Sequence, residues 1–148
     1  MGSMLQPYEP FSIPQLVRYH PSQRYDLHTD FWLSPRVMDD GSGRMFNRVA
    51  SFFVFLKANC TGGETHFPFV DVLEKDKKRG GRLDLVFGEK VRAHEQGGVA
   101  FKPLVGSAIF WVNLDEKGRG DGRVRHAGLP VEEGEKVGMN IWPRKFYY

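Results

Sequence analysis

Arg48-Val49-Ala50-Ser51-Phe52-Phe53-Val54-Phe55-Leu56-Lys57 is the stretch whose reading decides the fold. β-Branched and aromatic residues fill it, and such residues fit a pleated, buried surface better than a helix. Apolar side chains run almost unbroken from Val49 to Leu56, as expected of a central strand covered on both faces. Most of its aromatics are then core. Outward from this run, similar short stretches occur at Gln15–His20, Tyr25–Phe31, Gly98–Pro103, Ser107–Asn113 and Lys136–Trp142.

Turn signals separate these stretches: Asp40-Gly41-Ser42-Gly43, Thr61-Gly62-Gly63, Gly80-Gly81, the Gly118–Gly122 run and Glu133-Gly134. Many short strands between such turns predict an all-β sandwich or barrel. Only Phe69–Lys78 could hold a short helix. Asp39–Arg44 and Gly80–Gly98 read as mobile loops, and the Gly118–Gly122 run, without a phosphate-loop Lys-Ser pattern, as a flexible hairpin loop.

A chain of 148 residues suits one domain. With 41% hydrophobic and 14% aromatic residues it is in the globular range, and no apolar run reaches the roughly 18 residues that span a bilayer. Met1-Gly2-Ser3 before Met4 reads as an expression-vector remnant, so residues 1–14 are a remnant and lead-in. A soluble chain without signal peptide or membrane segment is expected, and no compartment is assigned. The net charge of +3 is concentrated between Glu74 and Arg92, where Asp76, Asp84 and Glu89 interrupt the bases. That segment reads as a solvated loop, not a nucleic-acid site. Cys60 is the only cysteine, in a turn and inert, so any metal must use His and carboxylates.

His28-Thr29-Asp30 puts an imidazole and a carboxylate two residues apart in a predicted strand, so both project from one face. With five His and nine Asp, such a His-x-Asp arises by chance about 0.3 times per chain, so its context must decide. A 2-His-1-carboxylate site needs a third ligand from a distant strand and leaves open positions on the metal. His126 is the candidate. Lys136 follows ten residues later, and a hairpin turning at Glu132-Glu133-Gly134 would bring it back beside His126. Facing a pocket there, an ammonium group can pair with a dicarboxylate. Zinc could use the same three ligands, but Lys136 would then lack a purpose. His66 beside Glu64 has no third ligand and reads as a surface or packing residue; His20 and His94 receive no role.

Several blocks, in order, resemble the prolyl 4-hydroxylases of the collagen-modifying, plant and algal type, from about Gln15 to Trp142. They are Arg18-Tyr19 with Tyr25, His28 and Asp30; Arg48 and its strand, then Gly62-Gly63-Glu64-Thr65 and Phe67-Pro68; Lys102-Pro103, Gly106–Trp111 and Asn113; and His126-Ala127-Gly128, Pro130-Val131, Lys136 and Trp142. The resemblance implies a double-stranded β-helix (jelly roll, cupin-like) with few or no helices, and residues 15–148 as the catalytic domain. It implies Fe(II) on His28, Asp30 and His126, and 2-oxoglutarate on Lys136, Tyr19 and Thr65. O2 is the other cosubstrate and ascorbate the reductant.

By the same resemblance, Arg48, Tyr25 and Trp142 face substrate, with Arg48 also a catalytic candidate. The implied reaction decarboxylates 2-oxoglutarate to succinate and CO2 and hydroxylates a substrate C–H, with C4 of a prolyl residue in a peptide or protein as the leading target. Relatives that halogenate carry a small residue in place of Asp30, so Asp30 argues for hydroxylation. A free amino acid or small metabolite as substrate, or a noncatalytic jelly-roll binding module, are the alternatives. Family domains usually carry N-terminal elements that buttress the sheet, whereas fourteen residues precede Gln15 here. An uncovered sheet face and self-association are the expected consequences.

Overall fold

The computed structural model describes residues 11–71 and 90–147. In chain order its strands are β1 Gln15–Tyr19, β2 Tyr25–His28, β3 Arg36–Val37, β4 Met45–Arg48, β5 Ala50–Gly62, β6 Thr65–Phe67, β7 Val91–Ala93, β8 Val99–Phe101, β9 Ala108–Val112, β10 His126–Gly128, β11 Val131–Ile141 and β12 Arg144–Tyr147. The helical content named among the described residues is one 3-10 turn, Gly122–Val124, with Lys90 also in 3-10 geometry.

These strands form three antiparallel sheets, ordered β1-β11-β5-β9, β2-β10-β6-β8-β7 and β12-β4-β3. The chain passes back and forth between the first two: β1 and β2, β5 and β6, β8 and β9, β10 and β11 are successive strands in opposite sheets. Hydrogen-bonded neighbours are therefore distant in sequence, as in β1 with β11 and β2 with β10. This winding is the double-stranded β-helix. The third sheet closes one end, where Asn47 accepts from the Trp32 N–H and donates to its carbonyl.

Alternation along the strands fills the space between the two main sheets with Phe53, Phe55, Phe67, Val91, Val99, Ile109 and Trp111. Phe55 is 1% exposed, so its burial alone stabilises the fold by about 1.5–3 kcal/mol. The decisive run departs from the sequence expectation in two ways. It breaks at Val49, so Arg48 closes β4 in the third sheet and does not begin the apolar strand. It is also buried on one face only: Phe53 and Phe55 point inward, while Leu56 is 44% exposed. Outside, Phe52 pairs with Phe110 of β9 at a ring distance of 4.7 Å, and Phe110 remains 55% exposed. Apolar residues on both faces mark this strand, but the outer face carries no covering layer among the described residues.

Glu132-Glu133-Gly134 is not a turn. It lies within β11, where Gly134 takes φ 78° beside a shift in register against β5. Two acidic residues and a glycine resemble a turn in sequence, yet a bulge needs the same positive φ. β10 and β11 therefore lie in different sheets and do not form a hairpin. Thr61-Gly62 likewise continues β5, so Cys60 is a half-buried strand residue and not a turn residue. Of the expected helix Phe69–Lys78, Phe69 and Val70 lie in a non-helical turn after β6, and the part from residue 72 falls outside the described residues. The loops expected at Gly80–Gly98 are described only from Lys90 onward, where β7 and β8 begin and end an antiparallel pair. No helix among the described residues is long and apolar enough to cross a membrane.

Candidate metal centre and cosubstrate pocket

β2 and β10 pair with His28 directly opposite His126. Asp30 lies two residues beyond the end of β2 and not inside a strand as expected, yet its carboxylate returns to the same point. Asp30 Oδ1 stands 3.5 Å from His28 Nε2 and 3.9 Å from His126 Nε2. All three ligand atoms lie within 4.8 Å of one another, and no other cluster of this kind occurs among the described residues.

Hydrogen bonds on the far side of each imidazole decide what the near side offers. His28 Nδ1 lies 2.7 Å from the Asp26 carbonyl, and His126 Nδ1 lies 3.0 Å from the Val124 carbonyl. A carbonyl only accepts, so each Nδ1 carries a proton, and it is the neutral form of each ring whose Nε2 presents a lone pair. The same arrangement orients histidines in metal sites generally. The His126 ring is further held against Trp111 (4.7 Å) and stacked on Phe67 (5.2 Å). Burial pushes the His126 pKa below its ordinary value, against the pull of Asp30, which favours the neutral ligand form. Burial pushes the Asp30 pKa up, but His28, His126, Ser51 and Trp142 outweigh it and hold the carboxyl at about 2. Two neutral imidazoles and one carboxylate can hold a divalent cation with half its octahedral positions open.

Next to this cluster is a cavity of about 290 Å³. Its lining includes His28, Asp30 and His126 together with Tyr19, Thr65, Lys136, Tyr25, Arg48 and Trp142, so every site residue expected from the sequence meets in one place. Lys136 arrives there along β11 itself, paired with Tyr19 of β1, and not through a hairpin. It is 1% exposed; its ammonium donates to the Gly63 carbonyl at 2.5 Å and lies 4.6 Å from the centre of the Tyr19 ring. Burial pushes the Lys136 pKa down to about 8. Gly63, at φ 69°, lets the backbone pass close enough to meet this side chain. No carboxylate among the described residues pairs with Lys136. A buried ammonium in that position fits an anionic ligand.

The expected substrate-facing residues have distinct settings. Tyr25 is 52% exposed at the mouth, its ring 4.3 Å from that of His28. The Arg48 guanidinium lies between two indoles, 3.5 Å from the Trp142 ring and 4.8 Å from Trp32, and donates to the Asp30 carbonyl. Trp142 is buried and donates its indole N–H to Asp30 Oδ2 at 3.0 Å, so it touches a metal-ligand candidate as well as the cavity. His66 is a packing residue, buried against His94 at 3.9 Å and bonded to the Gly97 carbonyl, while Glu64 pairs with Arg92. Arg92, counted in the solvated basic segment, is thus tied to the sheet.

Ser51 and Asn113 were given no role by sequence reasoning. Both are 0% exposed, and Ser51 donates to Asp30 Oδ2 at 2.5 Å while accepting from Asn113 Nδ2 at 2.9 Å. A lone hydroxyl inside the apolar run Val49–Leu56 is the signal that would have found Ser51. Phe67 and Trp111, which clamp His126, carry no mark that separates them from other core aromatics.

Among curated proteins, prolyl 4-hydroxylase 13 of Arabidopsis thaliana is 36% identical over 141 residues, 95% of this chain and 44% of that protein. Prolyl 4-hydroxylase subunit alpha-2 of Gallus gallus is 31% identical over 128 residues, 86% of this chain and 18% of that protein. The chain thus spans less than half the length of these relatives. Among solved structures, the viral collagen prolyl hydroxylase of Paramecium Bursaria Chlorella virus-1, in its 2OG complex, matches with a TM-score of 0.60 at 30% identity, covering 90% of this chain and 59% of that one. The family model of the 2OG-Fe(II) oxygenase superfamily matches residues 14–144, a span that contains the whole ligand cluster and the lysine above it, and the chain belongs to that superfamily.

Proposed function

We propose that this chain is an Fe(II)- and 2-oxoglutarate-dependent hydroxylase whose target is C4 of a prolyl residue in a peptide or protein. One observation carries the reading: a buried, carboxylate-free Lys136 ammonium shares a cavity with three side chains whose free donor atoms converge. A protein that needed only a structural metal would have no use for that ammonium. The relatives named prolyl 4-hydroxylases support proline as the target.

His28, Asp30 and His126 would hold the iron, and Lys136 would take the distal carboxylate of 2-oxoglutarate, with Tyr19 and Thr65 beside it. Bound Fe(II) supplies the oxidative chemistry that couples decarboxylation of 2-oxoglutarate by O2 to hydroxylation of a C–H bond. The protein's part is positional. Lys136 fixes the end of the cosubstrate remote from the metal, and its burial strengthens that ion pair. Phe53 and Trp111 line the cavity with apolar surface that excludes water from it. Arg48 and Tyr25 line the cavity, where a peptide carbonyl can accept from the guanidinium or the phenol. Ascorbate serves as the reductant that restores Fe(II).

The test is succinate formation from Fe(II), 2-oxoglutarate and O2 against a panel of proline-rich peptides, with mass spectrometry for the gain of one oxygen atom. Succinate and product formed in equal amounts are expected. Hydroxylation of a free amino acid or small metabolite, with every peptide inert, would overturn the proposed target; binding of peptide without turnover would overturn the enzyme reading.

A further inference from the structure

Ser51 and Asn113 lie behind the Asp30 carboxylate, outside the cavity lining, and both are completely buried. Burying a neutral polar pair in an apolar core contributes little net stability, because both groups give up water to find each other. Their connection is directional. Asp30 is ionised and can only accept, so the proton on Ser51 Oγ goes to Oδ2, at 2.5 Å. Asn113 must then offer its amide N–H to Ser51, at 2.9 Å, because a carbonyl there would compete for the same hydroxyl proton. The Asn113 backbone is itself pinned on both sides, its N–H to the Val49 carbonyl and its carbonyl to the Asp121 N–H. Trp142 Nε1 supplies a second donor to the same oxygen at 3.0 Å.

Oδ2 is thereby held by two donors, and Oδ1 is the oxygen that faces both histidines. The torsion that turns a carboxylate about its own axis is broad, so the two donors on Oδ2 fix the plane in which the carboxylate meets the metal where the torsion alone would not. We propose that Ser51, set by Asn113 and assisted by the Trp142 indole, is a positioning relay that locks the Asp30 carboxylate so that Oδ1 alone faces the metal. The relay keeps the aspartate to a single coordination position and leaves the remaining ones to cosubstrate and O2. It rests on the reading of His28, Asp30 and His126 as the metal site.

Co(II) is the probe, titrated into the whole chain and followed by its visible absorption, with folding monitored by circular dichroism. Outer partners of metal ligands typically change affinity by about 10- to 100-fold. Ser51→Ala is expected to raise the Co(II) Kd by that factor, Ser51→Thr to restore it by returning the hydroxyl, and Trp142→Phe to raise it by about 10-fold while keeping an aromatic ring in place. A merely structural role would lower the melting temperature without moving the Kd of the folded protein. A folded Ser51→Ala protein that binds Co(II) as tightly as the parent overturns the relay alone. Should Ser51→Ala fail to fold, unchanged affinity in Trp142→Phe overturns it instead. Absence of Co(II) binding by the parent chain overturns the metal site itself, and the relay with it.

Discussion

His28 and His126 are register partners across the antiparallel β2–β10 pair, their ring centroids 4.3 Å apart. Two residues almost a hundred positions apart are thus brought together by backbone hydrogen bonding before any metal arrives. The ligand geometry is a property of the sheet, and a slip of one residue would turn His126 to the opposite face.

His28 and His126 should nevertheless respond differently to truncation. His28 is partly exposed, whereas His126 is packed between Phe67 and Trp111. Both His28→Ala and His126→Ala are expected to abolish retention of Fe(II) or Co(II). Only His126→Ala should also lower the melting temperature of the metal-free protein, by several degrees for a loss of about 1–3 kcal/mol. Equal melting temperatures for the two variants would contradict the packing assigned to His126.

Lys136→Met separates binding from stability. In the free protein the ammonium is buried with only a carbonyl as acceptor, and its pKa falls from 10.5 to about 8. A lowered lysine pKa means that the folded state binds fewer protons between pH 8 and the unfolded value, so this residue's burden is full below about pH 8 and shrinks as pH rises. At neutral pH the burden is on the order of 2–4 kcal/mol. Lys136→Met is therefore expected to raise the melting temperature of the ligand-free protein and to eliminate the further rise that 2-oxoglutarate gives the parent chain. A variant that still gains stability from 2-oxoglutarate would refute the role of Lys136.

The same titration gives the cosubstrate a pH dependence. Only the charged ammonium attracts a carboxylate, so 2-oxoglutarate affinity in the metal-loaded protein should be constant below about pH 8 and fall above it, up to tenfold per pH unit. Isothermal titration in buffers of different ionisation enthalpy should show proton uptake on binding near pH 8. Affinity that rises above pH 8 would contradict this assignment.

Phe67→Ala tests the coupling of core to site. Phe67 is 3% exposed, belongs to the central aromatic cluster and stacks on His126. Its removal should cost about 3–5 kcal/mol of stability and, in the fraction that folds, weaken metal binding by loosening the His126 ring. Denaturant unfolding with and without Co(II) measures both.

β1, β2, β5, β8, β9 and the latter half of β11 were legible in the sequence because β-branched and aromatic runs stand out between turn residues, whereas β3, β4, β6, β7, β10 and β12 are too short to show a run of their own. The site was legible because its residues are chemically rare in such surroundings. Gly134 was misread because a bulge and a turn ask for the same positive φ. The split at Val49 was invisible because the apolar run continues across it while the hydrogen bonding changes sheets. Ser51 and Asn113 escaped because a serine or asparagine looks the same whether it faces water or a carboxylate; only the Asp30 hydrogen bonds distinguish the two. Exposure of Phe110 and Leu56 could not be read from residues that would serve equally well under a second layer.

Anaerobic addition of Fe(II) and then 2-oxoglutarate to the folded chain is the most direct test of the centre built on His28, Asp30, His126 and Lys136. A weak visible charge-transfer band that grows with 2-oxoglutarate, saturates at one equivalent per chain and is lost in His126→Ala is the predicted result. A correctly folded chain that binds Fe(II) yet develops no such band at saturating 2-oxoglutarate would contradict the account.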